Sequence, residues 1–218
     1  MIKKLFIAIL CACAVIPAFA QSSDTEKSFL DSTFVSVGLG AQVYFGDHNR
    51  QCKVGDRLSW AFDVAVGKWF TPLVGARLMY SGIQIKGATQ NGAHSNGQPI
   101  SGKPWHGYWL TEQKYNLSHL HADVMLNATH LFSKTKEEHR YNCSPYLGFG
   151  WAYVADSPSA GSLAGSLGVL QTYSLDRNWL LNLDLRGTLV GDGLDGEKGG
   201  RKGEGLFTGT IGVTYIFR

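Results

Sequence analysis

Five ionisable residues stand in unusual company in this sequence. Asp63, Arg77, Asp123, Asp184 and Arg186 lie inside runs of mostly uncharged, alternating residues. Three acids and two bases are near balance, which lowers the cost of taking them out of water together. Their chemistry is that of a buried ion-pair network or of the lining of an ion pathway. His119 and His121 lie two residues apart with Asp123 next. Imidazole and carboxylate together can bind a metal, but no further ligand stands at a telling spacing. A hydrogen-bonding role is therefore expected, with no metal and no cofactor. Ser118 beside His119 and His121 is the only loose nucleophile and base pairing, and no catalytic residue is assigned. Trp105, His106, Tyr108 and Trp109 cluster in the segment KPWHGYW, where aromatics in a long loop can mark a binding surface.

The elements that must position these residues are strands. Eight segments alternate with a period of two, which puts successive side chains on opposite faces: Thr33–Phe45, Leu58–Trp69, Val74–Ile85, His119–Phe132, Tyr146–Val154, Leu163–Leu175, Trp179–Leu189 and Leu206–Arg218. In the last, Phe207, Ile211, Val213, Tyr215 and Phe217 share one face and Thr208, Thr210 and Thr214 the other. The five charges all fall on the small polar face of their strands. Each segment has roughly the ~9–11 residues that a strand needs to cross a bilayer. The connections are read as alternating long and short, with the longest over residues 86–118. No helical periodicity and no internal repeat is present.

Composition agrees with an unusual solvent. Charged residues make up 17% of the chain, below the ordinary ~25%. Glycines number 27 and aromatics reach 12%. The N-terminus has the form of a secretory leader, with Lys3 and Lys4, an apolar run from Leu5 to Val15, and Ala18-Phe19-Ala20 before Gln21. Residues 1–20 are read as the leader, 21–32 as a short periplasmic tail and 33–218 as the barrel. Processing at Cys13 is the rival, poorly served by Cys11. Without the leader's two lysines the formal charge falls from +3 to +1, which gives no electrostatic case for nucleic acid. No later segment is apolar for long enough to be a spanning helix. Cys52 and Cys143 are expected as unpaired thiols, held apart by the height of a barrel.

Eight amphipathic strands admit two barrels of opposite polarity. A soluble, lipocalin-like carrier would turn the large apolar face inward and show Lys and Glu on the outside. Here the second face is Gly, Ser, Thr, Ala and Asn with few charges, and most Lys and Glu lie in loops. Lipid outside and a narrow polar lumen inside fit better. Trp60, Trp69, Tyr80, Tyr146, Tyr173, Trp179 and Tyr215 are candidate interface aromatics, though Trp69 and Tyr146 have lumen parity. The aromatic loop then has a second reading, as a cap on the barrel or a contact in the headgroup layer.

The segments VGLGAQVYFGD, PLVGARLMYSG, YLGFGWAY and the closing GVTYIFR resemble those of the small OmpA-type outer-membrane barrels, in a form similar to Bacteroidetes proteins. The resemblance implies an all-β, eight-stranded antiparallel up-and-down transmembrane β-barrel with both termini periplasmic. It also implies that Leu206–Arg218 is read by the barrel-assembly machinery, although Arg218 follows the final aromatic. No peptidoglycan-binding domain follows in this sequence, so the family's wall-anchoring role is not expected. The expected protein is a monomeric outer-membrane barrel surrounded by lipid, structural or interactive through its outer loops, and not an enzyme. The alternatives are a narrow pore or a lipid-active enzyme.

Overall fold

The computed structural model describes residues 30–46, 48–100, 109–133, 139–196 and 203–218. The proposed leader, nearly all of the tail, and Trp105, His106 and Tyr108 lie outside these residues. The described chain forms nine strands: β1 (Thr33–Phe45), β2 (Leu58–Trp69), β3 (Val74–Thr89), β4 (Ser95–Pro99), β5 (Thr111–Leu126), β6 (Tyr141–Val154), β7 (Ala160–Ser174), β8 (Trp179–Gly191) and β9 (Gly203–Ile216). Short helices α1 (Val54–Arg57) and α2 (Ala128–Phe132) sit in connections. Among the described residues no helix is long and apolar enough to cross a membrane.

Eight of the strands make a closed antiparallel ring in the order β3-β2-β1-β9-β8-β7-β6-β5, with β3 pairing β5. The first and last strands pair from Phe34↔Ile216 to Phe45↔Gly205, so no edge of the ring is left open. β4 is a flap paired only with β5, outside the ring. The start of β1 and the end of β9 share one end of the barrel with the β2–β3, β5–β6 and β7–β8 junctions. The β1–β2, β3–β5, β6–β7 and β8–β9 junctions lie at the other. It is called the loop end below.

Three features depart from the sequence reading. The loop expected over 86–118 is largely strand, because β3 and β5 pair on up to Thr89↔Thr111 and rise above the ring. The strand expected to run from His119 to Phe132 starts earlier and stops at Leu126. There the Asn127 side chain accepts from the His130 backbone N–H and caps α2. Ala128 and Phe132 keep the apolar strand parity by accident, which hid the turn. Finally, the β6–β7 connection is only residues 155–159, so one of the four loop-end connections is short. Pro145 falls inside β6 because there it faces Val169 of β7, past the end of the β5 pairing at Tyr146↔Met125.

The polarity of the barrel follows from exposure. Leu39, Leu120, Val124, Leu147, Phe149, Leu167 and Ile211 point outward and are all exposed. Phe45, Trp60, Trp151 and Tyr153 ring the loop end, and Phe70, Tyr141, Tyr173 and Trp179 the other. An apolar belt between two aromatic girdles is the surface of a barrel solvated by lipid. Trp179, Tyr215 and Phe217 form one continuous cluster, with successive ring centroids 5.0 Å apart. Tyr146 and Trp69 are the exceptions among the expected interface aromatics: Tyr146 is 2% exposed in the lumen and Trp69 packs against its cluster, as their parity requires.

Candidate functional site: a lumen crossed by ion pairs

The lumen is layered. At the terminal end Phe34, Met125, Tyr146 and Leu170 cluster with Trp69 and Ile216. Toward the loop end a second cluster holds Tyr44, Ile85, Tyr115, Leu117, Val154, Val190, Leu194 and Leu206, among others. Between the two lie all five charged residues singled out by sequence, each buried. Strand register makes the first contacts. Arg77 on β3 is the direct cross-strand partner of Asp123 on β5, and its Nε donates to Asp123 Oδ2 at 2.7 Å. Asp63 on β2 is the partner of Ser81 on β3, whose hydroxyl donates to Asp63 Oδ1 at 2.5 Å.

The remaining contacts cross the barrel. β8 stands four places from β3 in either direction around the ring, so the two strands are diametrically opposed. Arg77 Nη2 spans this distance to Asp184 Oδ2 at 2.7 Å. In return, Arg186 Nη2 reaches Ser81 Oγ at 2.5 Å and Asp63 Oδ1 at 3.2 Å, and its Nη1 donates to Met79 Sδ at 2.8 Å. Thr210 donates to Asp63 Oδ2 at 2.9 Å. Tyr146 donates to Asp184 Oδ1 at 2.6 Å, and the Arg77 guanidinium lies 4.3 Å from the centre of its ring. His121 Nδ1 approaches Asp123 Oδ1 at 2.6 Å. Two guanidiniums exchanged between opposite walls fill the cross-section and hold its diameter.

Sequence parity put the five charges on one inner surface but did not pair them. Tyr146, Met79, Ser81 and Thr210 were missed as members. Tyr146 carried a usable signal, since an aromatic on a face of glycines must reach inward. Room for β5's side chains comes from β6. His121 faces Gly150 and Asp123 faces Gly148. A Cβ on Gly148 would strike Asp123, and one on Gly150 would strike His121 and the Leu120 carbonyl.

The loose Ser118 pairing does not form. Ser118 lies on the outer face of β5, where its hydroxyl is 3.2 Å from that of Tyr80. His119 and His121 are on the inner face, 4% and 1% exposed. Neighbours on a strand point to opposite sides, so adjacency in sequence separated these groups. Of the aromatic loop, Trp109 is described and is 85% exposed.

The loop end is tied down by amides. Gln42 donates to the Gln84 carbonyl at 3.0 Å, Asn49 accepts from Ala88 N–H at 2.7 Å, and Gln113 donates to the Asp195 carbonyl at 2.7 Å. Cys52 packs here against Ala88 and Leu110. Burial pushes its thiol up to about 11. Cys52 and Cys143 are both free. At the terminal end a cavity of about 1180 Å³ lies among Trp69, Asn127, Arg140, Asp176 and Arg218, outside the apolar cluster.

No family model matches the chain. It is 25% identical over 176 residues to outer membrane protein 40 of Porphyromonas gingivalis, a match covering 75% of this chain and 42% of that protein. The chain thus spans about two fifths of that relative's length. Among solved structures, Neisserial surface protein A superimposes with a TM-score of 0.50 at 13% identity, over 86% of this chain and 98% of the other. Ail of Yersinia pestis gives 0.45 at 12% identity, over 86% and 99%. Ring closure, apolar belt, aromatic girdles and the superposition on the Neisserial protein agree: the chain is a small eight-stranded β-barrel of the outer-membrane type.

Proposed function

We propose that this protein is a plugged anchor in the bacterial outer membrane, which holds its loop end at the cell surface as a structural or interacting platform. The observation that carries this reading is the pair of guanidinium contacts between β3 and β8, with an apolar cluster on each side. Eight-stranded barrels have interiors just wide enough for side chains to fill, and here ion pairs occupy the diameter. The termini face the periplasm, where short turns belong. The aromatic end of β9 is offered to the assembly machinery, and the barrel works as a monomer. In this reading the barrel is not catalytic, and the loose Ser118–histidine pairing, split between the two faces of β5, lends no support to the alternative.

The test is electrical. The refolded protein in planar bilayers should show no steady channel above the bare membrane, while its mobility on gels changes on heating as a folded barrel's does. Stable unit conductance from the unaltered protein would overturn the plug. Orientation is tested in whole cells. A protease tag placed in 192–202 should be cut from outside, and one at the N-terminal end of β1 should not.

A further inference from the structure

The mouth of the barrel at its terminal end takes no part in the lumen network. Its cavity of about 1180 Å³ has an apolar floor of Trp69, Leu180 and Ile216, all half-buried. Trp69 and Ile216 rest in turn on the terminal cluster of the lumen. The walls carry charge. Arg140 and Arg177 line the cavity from neighbouring junctions, β5–β6 and β7–β8. The Arg140 carbonyl accepts from the Ser174 N–H at 2.7 Å, which ties the first junction to the strand that leads into the second. Both side chains are exposed. The ion pairs between described residues all lie in the lumen, and neither of these guanidiniums enters one. Arg218 adds a third positive charge to the lining. Like charges gathered around one opening repel each other and favour an anion between them. The guanidinium fork matches carboxylate and phosphate alike.

The opposite wall narrows the class. In the ring β1 stands four places from β6 in either direction. Asp31, just before β1, therefore lines the mouth across from Arg140, just before β6. Asp176 is also in the lining, but its Oδ1 already accepts from the Arg177 N–H at 2.6 Å. A phosphate ion would satisfy the arginines and leave Asp31 without a counter-charge. A ligand with carboxylates at one end and an ammonium at the other uses both walls. An apolar side chain between the two covers the floor. A short peptide has this arrangement, and ligand sites of roughly 300–1,000 Å³ are the usual size for such molecules.

We propose that the terminal mouth is a binding site for a short acidic peptide. Its carboxylates lie on Arg140 and Arg177, its amino end on Asp31, and an apolar side chain on Trp69, Leu180 and Ile216. Peptides of the periplasm supply it, a source that rests on the orientation proposed above. The site itself is independent of orientation.

The test titrates the tripeptide Ala-Leu-Glu calorimetrically into the chain from Gln21, refolded in uncharged detergent micelles. Acetyl-Ala-Leu-Gln-amide and inorganic phosphate are titrated beside it. The expected result is one tripeptide per chain, held at least about tenfold tighter than the uncharged amide or phosphate. Arg140→Gln and Arg177→Gln should each weaken it about tenfold, and Asp31→Asn about threefold, in protein whose heat-modified mobility shows it folded. Acetyl-Ala-Leu-Glu, which has no ammonium, should be indifferent to Asp31→Asn. The proposal is overturned if Ala-Leu-Glu binds no tighter than the amide, if phosphate binds as well, or if both arginine variants bind as before. A protease tag before β1 that is cut from outside the cell overturns the periplasmic source alone, since the titration in micelles has no sides.

Discussion

Removing Arg77 is the sharpest perturbation of the lumen. Arg77→Met keeps most of the side-chain stem and deletes both 2.7 Å ion pairs, stranding Asp123 and Asp184. Breaking one buried pair by removing a partner costs ~3–5 kcal/mol. Two pairs are lost here, but each carboxylate keeps one strong donor, His121 on Asp123 and Tyr146 on Asp184. Such retained bonds to a charged group are worth ~1.5–3 kcal/mol each, so the total stays near the single-pair figure, about 4 kcal/mol. That is a large share of the ~5–15 kcal/mol of an ordinary fold. The assay is urea-dependent unfolding in phospholipid vesicles, followed by tryptophan fluorescence and gel mobility. Neutralising the partners as well, with Asp123→Asn and Asp184→Asn, removes the stranded charges and leaves Asp63 and Arg186 in balance. The triple variant should then lie within about 1.5 kcal/mol of the parent, since replacing a buried ion cluster by neutral groups is often nearly free. A single variant within about 1 kcal/mol of the parent, or a triple variant no better than the single, would refute the claim that these ions hold the lumen.

Other outcomes follow from the same geometry. Ile211→Arg places a charge at the middle of the lipid-facing side of β9, where Ile211 pairs with Leu39 and Leu183, and should cost ~2–4 kcal/mol in vesicle unfolding. Gly150→Ala should lose ~1–3 kcal/mol through overpacking against His121 and the Leu120 carbonyl. Gly165→Ala, where an added Cβ meets nothing within 4 Å, should unfold within about 0.5 kcal/mol of the parent. With its thiol near 11 rather than the ordinary 9.0, Cys52 holds about a hundredfold less thiolate at pH 8, and thiolate is the reacting form. Maleimide labelling of folded protein should therefore leave Cys52 largely unmodified at pH 8 and label it once urea opens the barrel.

The ring was legible because lipid makes a period of two conspicuous. Leu181, Leu183 and Leu185 against Asn182, Asp184 and Arg186 admit few other readings. Inner and outer faces could be assigned because the inner one carried glycine and threonine instead of lysine and glutamate. Strand ends were less legible. Gln113, Tyr115 and Leu117 belong to β5 only because β3 continues opposite them, and pairing partners are not written in either segment alone. The lumen was legible as a set of residues but not as a network. Asp63 and Arg186 are 123 positions apart, and only closure, with β8 facing β3, brings them within reach. Tyr146 was given two meanings by sequence, interface and lumen, and the Asp184 carboxylate decides between them.

The seam between β1 and β9 has a temporal consequence. Phe34 and Ile216, paired across it, are 182 residues apart, so this seam carries the greatest loop-closure cost of any in the ring. Until the last strand has been made, β1 and β8 both present an unpaired edge, and the guanidinium contacts between β3 and β8 have no fixed diameter to span. A chain cut short before Gly203 is therefore not a slightly smaller barrel but an open sheet with two adhesive margins. Synthesis of β9 and closure of the ring are one event, and the quality of these fourteen residues of strand sets whether the other seven strands ever become a wall.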